Sequence, residues 1–145
     1  MDPQKDLLSE LFDELDARPV SAGIRFGNFI VDSIAYYVIL FIVFVFIAMY
    51  VPSKTVLIVT YLSSFGIYLL YYTFMEGFFG GRTFGKMITR SKAVKEDGNP
   101  LTWKDAFTRS LVRLIPFEQF SAFGGNPWHD KWTKTIVVNN QLRIS

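Results

Sequence analysis

Apolar positions gather into two long runs divided by a short polar break. The first, Arg25–Tyr50, reads RFGNFIVDSIAYYVILFIVFVFIAMY and interrupts its apolar character with one acid, Asp32. The second, Thr55–Met75, is uncharged. Crossing about 30 Å of hydrocarbon takes roughly 20 helical residues. The uncharged stretch Ser33–Val51 nearly supplies that, Phe26–Val31 extends it, and Pro52-Ser53-Lys54 forms the turn. The pattern predicts a two-span transmembrane hairpin, with spans at about 24–51 and 55–75. Tyr50, Tyr68, Tyr71 and Tyr72 suit interfacial belts, and Ser63, Ser64 and Gly66 suit close helix approach. Leu7, Leu8, Leu11, Phe12 and Leu15 recur at spacings of three and four and predict an amphipathic helix over 1–18, its polar face acidic. Two readings of that helix stand: packing on the rest of the protein, or docking to a partner. Pro19 ends it.

The region after Met75 carries shorter elements. Residues 101–115 predict a third helix, opened by a capping box of Thr102 and Asp105 and stopped by Pro116. At roughly 20 Å it is too short to cross, and Trp103, Phe107, Leu111 and Leu114 form an apolar face. As an interfacial helix it would hold Arg109 and Arg113 toward lipid phosphates; the alternative turns them inward onto a membrane acid. Asp105 and Arg109, four apart, are placed to pair. Ile88–Val94 and Thr135–Asn139 predict a short cytoplasmic two-strand pair. The fold class expected is an α-helical membrane protein with that hairpin, third helix and strand pair. Residues 19–145 form the membrane domain, and 76–145 its cytoplasmic elements.

Charge gives the orientation. Three basic residues precede the first span, one lies in the turn and eleven follow Met75. Cytoplasmic segments are the basic ones, so both termini are expected inside. The basic face favours anionic lipid rather than nucleic acid. An acidic start and a long apolar run argue against a cleaved signal peptide. The chain has no cysteine, which excludes disulfides and thiolate metal sites.

Several short motifs have simpler explanations than the chemistry they resemble. Gly80–Lys86 matches GxxxxGK, but Met87 replaces the magnesium-binding hydroxyl and no buried strand precedes it, so no nucleotide site is expected. Glycine allows a tight turn there. His129 is the single histidine, too few for a multi-histidine metal site. No nucleophile–base pair stands out, so neither enzyme activity nor a cofactor is expected.

The remaining candidate is a polar set in and beside the membrane. Arg25 and Asp32 share a helix face about 10 Å apart along the axis, too far to pair without a third group between them. Glu76 lies at a similar depth, and Arg82, Lys86, Arg109, Arg113 and Asp130 are candidates to complete the network. The network either clamps the helices to the cytoplasmic elements or binds or moves something.

These residues resemble the RDD family of bacterial membrane proteins, named for one arginine and two aspartates. Arg25 in Gly23–Phe26 matches the arginine, Asp32 the first aspartate, and Asp130 in Trp128–Lys131 the second. Gly81–Lys86 resembles the family's Gly-x-Thr-x-Gly-Lys loop, and Arg109 and Arg113 its downstream arginines. The segment before Asp130 is shorter than in many members: Phe117–Gly125 is broken by Glu118 and glycines. The resemblance implies a multi-pass inner-membrane protein with a role in transport of ions or small solutes. Two helices cannot enclose a pathway, so such a role requires a homo-oligomer or a membrane partner. The other reading is a non-enzymatic scaffold that recruits lipid or partners.

Overall fold

The computed structural model describes residues 19–121 and 127–139, so the acidic 1–18 segment lies outside the described residues. Helix α1 (Ala22–Tyr50) and helix α2 (Ser53–Phe78) are the two long elements. At 1.5 Å per residue they measure about 43 and 39 Å, enough to cross a bilayer with length to spare. Ser21 caps α1 by accepting from the Ile24 amide, and Pro52 starts α2. The two run antiparallel. Tyr36 donates to the Ser64 carbonyl at 3.2 Å and meets Tyr68 edge-on. Gly66, a candidate for close approach, faces open space.

The long helices turn their apolar side chains outward. Ile34, Phe41, Phe46, Leu57, Leu62 and Leu70 are all exposed, while Arg25, Asn28, Asp32 and Glu76 are buried. This inverts the arrangement of a soluble bundle and is consistent with a membrane protein. Tyr71 and Tyr72 depart from the expected belt. They are buried with Met75 between the helices, against Ala35, Ile39, Tyr68 and Met87.

Beyond α2 the chain folds back under the hairpin. Gly80 and Gly81 take positive φ, and the Gly81 backbone lies against Ala93 so closely that a Cβ would fall 2.0 Å from its carbonyl oxygen. Helix α3 (Phe84–Ile88) follows, then strand β1 (Ser91–Lys95). The strand starts three residues later than expected because Ile88 closes α3, and Arg90, at φ 52, turns the chain between them. Helix α4 (Trp103–Arg113) begins with the capping box of Thr102 and Asp105. Helix α5 (Glu118–Ser121) and helix α6 (Trp128–Thr133) lead into strand β2 (Thr135–Asn139). The strands pair antiparallel, Ala93 opposite Val137. Two strands alone are marginal. Here Pro19 bridges to Val138, the Val20 amide bonds the Val137 carbonyl at 2.9 Å, and Val20, Ala93, Leu101 and Val137 form a small core. The strand pair is thereby joined to the start of α1.

Helix α4 is inverted in the same way as the hairpin. Trp103, Phe107 and Leu111 are exposed, whereas Ala106, Arg109, Ser110 and Arg113 are buried. Ser110 meets Thr73 of α2 at 3.0 Å. Both arginines turn inward, so the reading that aimed them at lipid phosphates is overturned. Nor does Arg109 pair with Asp105. The aspartate caps its own helix and pairs with Lys95 at 3.2 Å, because Arg109 is drawn to acids on the buried side.

Candidate functional site

Two carboxylates organise the centre of the molecule. Glu76, near the C-terminal end of α2, is fully buried and meets three cations. Its Oε1 accepts from Lys86 Nζ at 2.6 Å and Arg113 Nη2 at 2.7 Å, and its Oε2 from Arg109 Nε at 2.8 Å. Asp130, on α6, is also fully buried. It accepts from Arg25 Nη1 and Arg109 Nη1, each at 2.6 Å. Arg109 thus bridges the acids, its fixed fork reaching Glu76 with one nitrogen and Asp130 and Thr135 with another. The chain of pairs ties α1, α6, α4, α2 and α3 together. Removing one partner from such a buried set costs about 3–5 kcal/mol, because a charge is then left uncompensated.

Asp32 behaves differently. It has no ion-pair partner among the described residues. Neutral donors hold it instead: Tyr71 Oη at 2.9 Å and the Gly85 amide at 2.8 Å on Oδ1, and Thr83 Oγ1 at 2.6 Å on Oδ2. The spacing of Arg25 and Asp32 left room for a third group joining them. The two residues instead belong to separate centres, Arg25 to Asp130 and Asp32 to the loop before α3.

That loop explains the GxxxxGK resemblance. Gly81 makes the turn, Thr83 bonds Asp32 and caps α3, and Lys86 pairs with Glu76. Gly85 sits where a Cβ would be 2.3 Å from the Asn28 carbonyl oxygen, which lets α3 lie directly on α1. Arg82, a candidate for the network, joins none of its pairs. Its neighbour Thr83 is extended and turns toward Asp32. Arg82 is half-buried there.

Several participants carried no signal in the sequence. Asn28 donates to Ser91 at 3.1 Å and accepts from Thr89 at 2.6 Å, tying α1 to β1. Glu118 accepts from the His129 ring and, at 3.3 Å, from its backbone amide. Burial, helped by Arg113, lowers the His129 imidazole to about 4, so the ring is neutral at neutral pH. Burial opposes ionisation of Asp130, but Arg109 and the other nearby cations hold its carboxyl far below the usual carboxylate range. Burial lowers the Lys86 ammonium to about 8 against the pull of Glu76.

Between these centres lies a partly open cavity of about 70 Å³. Arg25, Asn28, Phe29 and Asp32 form the α1 wall and Tyr68 and Tyr72 the α2 wall; Lys86, Arg113, Glu118, His129 and Asp130 close it with Pro127 and Val137. The order of the arginine and the two aspartates, the loop between them and the two downstream arginines are all accounted for by this centre. A family model described as the RDD family matches residues 19–138. The chain belongs to the RDD family. The match covers every residue of the network and the cavity, and leaves out the acidic segment that precedes Pro19. None of the curated proteins and none of the solved structures compared with this RDD chain matches it. No group of His, Asp and Glu among the described residues is arranged to hold a metal ion.

Proposed function

We propose that this RDD-family chain is a bacterial inner-membrane protein, both termini cytoplasmic, that supplies a cytoplasm-facing polar site for handling an ion, proton or small solute. It carries out no covalent chemistry in this reading. The observation that carries it is the cavity, which gathers Arg25, Asp32, Lys86, Arg113 and Asp130 at the inner ends of two apolar helices. The basic region after Met75 supports the orientation. The outward Trp103, Phe107 and Leu111 support α4 lying against lipid beside the inner half of α2. Tyr36–Met49 and Thr55–Phe65 contain no carboxylate and no basic side chain. A route for a charged solute usually needs some, so passage across the outer half would require an oligomer or a partner.

A scaffold role is the second reading, favoured by the saturation of Glu76 and Asp130 with cations. In it the network fixes the cytoplasmic elements, and the basic face recruits anionic lipid or a partner. Flux into liposomes separates the two. Transport predicts uptake by wild type and its loss in Asp32→Asn at equal folded yield. The absence of flux from wild type under every gradient tried would leave the scaffold.

A further inference from the structure

We propose that the cavity binds a monoanionic oxyanion: a carboxylate, or the phosphodiester of a lipid headgroup. The inference rests on reading the cavity as a ligand site and adds the class of ligand. It begins with Arg113. This side chain is 8% exposed, its guanidinium lies over the Tyr72 ring at 4.6 Å, and its Nη2 is committed to Glu76. Its Nη1 is buried and has no hydrogen-bond partner. A buried charged donor without an acceptor is costly, so such groups are normally matched by a protein group, a water or a ligand.

The other walls hold donors to spare and acceptors already engaged. Arg25 commits Nε to the Val20 carbonyl and Nη1 to Asp130, which leaves Nη2. Lys86 commits one hydrogen to Glu76 and carries three. Both oxygens of Asp32 are engaged by Tyr71, Gly85 and Thr83, and both of Asp130 by Arg109 and Arg25, while His129 engages Oε1 of Glu118. No acceptor among the described residues reaches Arg113 Nη1.

Charge limits which acceptor fits. The wall has three cations, Arg25, Lys86 and Arg113, and three acids, Asp32, Glu118 and Asp130. Because these balance, attraction comes from oriented donors rather than from net charge. A monoanion meets three donor side chains at modest repulsion, whereas a divalent anion would face the acids with twice the charge. A guanidinium and an ammonium together suit an oxyanion with two or more oxygens. The volume of about 70 Å³ is several times the ~10–15 Å³ that one water requires, enough for the oxyanion group but not for a large solute.

The test is thermal unfolding of the full chain in a neutral maltoside detergent, titrated with acetate or with short-chain phosphatidylglycerol, and with tetramethylammonium chloride as control. A saturable rise in Tm with an oxyanion, and none with the control, is expected. A rise with phosphatidylglycerol alone identifies lipid as the source, and one with acetate as well identifies a free carboxylate. Arg113→Lys keeps the charge facing Glu76 and removes the second nitrogen. Phe29→Trp narrows the cavity without touching an ion pair. Each is expected to weaken apparent affinity about ten-fold or more. If Arg113→Lys does not fold, Phe29→Trp decides. No saturable shift in wild type, or an equal shift in both variants, overturns the proposal and leaves water as the occupant. Binding in detergent depends neither on sidedness nor on flux, so its failure is distinguishable from failure of the transport reading.

Discussion

Replacing Glu76 by Gln is the most informative single perturbation of the network. The amide keeps the shape of the carboxylate but removes the charge that Lys86, Arg109 and Arg113 share, all three at 2.8 Å or less. Arg109 retains Asp130, so the loss falls mainly on Lys86 and Arg113. Breaking a buried pair by removing one partner costs about 3–5 kcal/mol. That is a large share of the 5–15 kcal/mol typical of a folded domain. At this chain length about 3 °C of Tm corresponds to 1 kcal/mol, so a fall of roughly 9–15 °C is expected. The assay is intrinsic tryptophan fluorescence during heating. Trp103, Trp128 and Trp132 lie on α4 and α6, two of the elements the network holds. Glu96→Gln, at an exposed position outside the network, is the control and should move Tm by only about 1–2 °C. The double variant with Lys86→Gln should recover part of the loss, because one orphaned cation is removed together with the acid. A Glu76→Gln protein as stable as the control would refute the view that these pairs clamp the elements after α2 to the hairpin.

Two other expectations follow from the same centre. The His129 ring is held neutral at about 4 against an ordinary 6.5, chiefly by burial and then by Arg113, with Asp130 and Glu118 opposing. The unfolded chain therefore binds more protons between those values. The associated stability is present above pH 6.5 and is lost as the pH falls to about 4, on the order of 3 kcal/mol in total. His129→Asn should flatten that part of the Tm–pH curve, and an unchanged slope would contradict the assignment. Gly85→Ala places a methyl 2.3 Å from the Asn28 carbonyl oxygen and should destabilise by about 1–3 kcal/mol or more. Gly66→Ala, with open space around it, should be neutral or slightly stabilising; equal effects of the two on Tm would undo the packing argument.

The long helices were legible because length and apolarity are local properties. The capping box of α4 was equally plain, since Thr102 and Asp105 are three residues apart. The polar residues of the network could be named from residue type and depth, but not their pairings. Arg25 meets Asp130 across 105 residues and Arg113 meets Glu76 across 37, and no periodic pattern encodes that. Seven residues from Arg25, Asp32 could be linked to it only through a third group. Its donors instead come from Tyr71, from Thr83 at the N-cap of α3 and from Gly85 in the first turn of α3, a glycine that looked like a turn residue alone. The face of α4 was ambiguous for another reason. An apolar stripe says which side avoids water, but not whether protein or lipid covers it. The buried acids decided it by drawing Arg109 and Arg113 inward. Arg82 takes part in none of the ion pairs that these acids form.

The proposed function requires a polar cavity reached from the cytoplasm beneath a dry outer half. Site-specific thiol labelling tests this directly, because the chain has no cysteine of its own and any introduced one is unique. Phe29→Cys lies in the cavity wall, and Thr60→Cys lies in the outer half of α2. With a membrane-impermeant anionic thiol reagent, Phe29→Cys should be modified in inside-out vesicles and protected in right-side-out ones, and Thr60→Cys should be unreactive in both. Modification of Phe29→Cys from the outer side, or of Thr60→Cys from either side, would contradict a cavity open only to the cytoplasm.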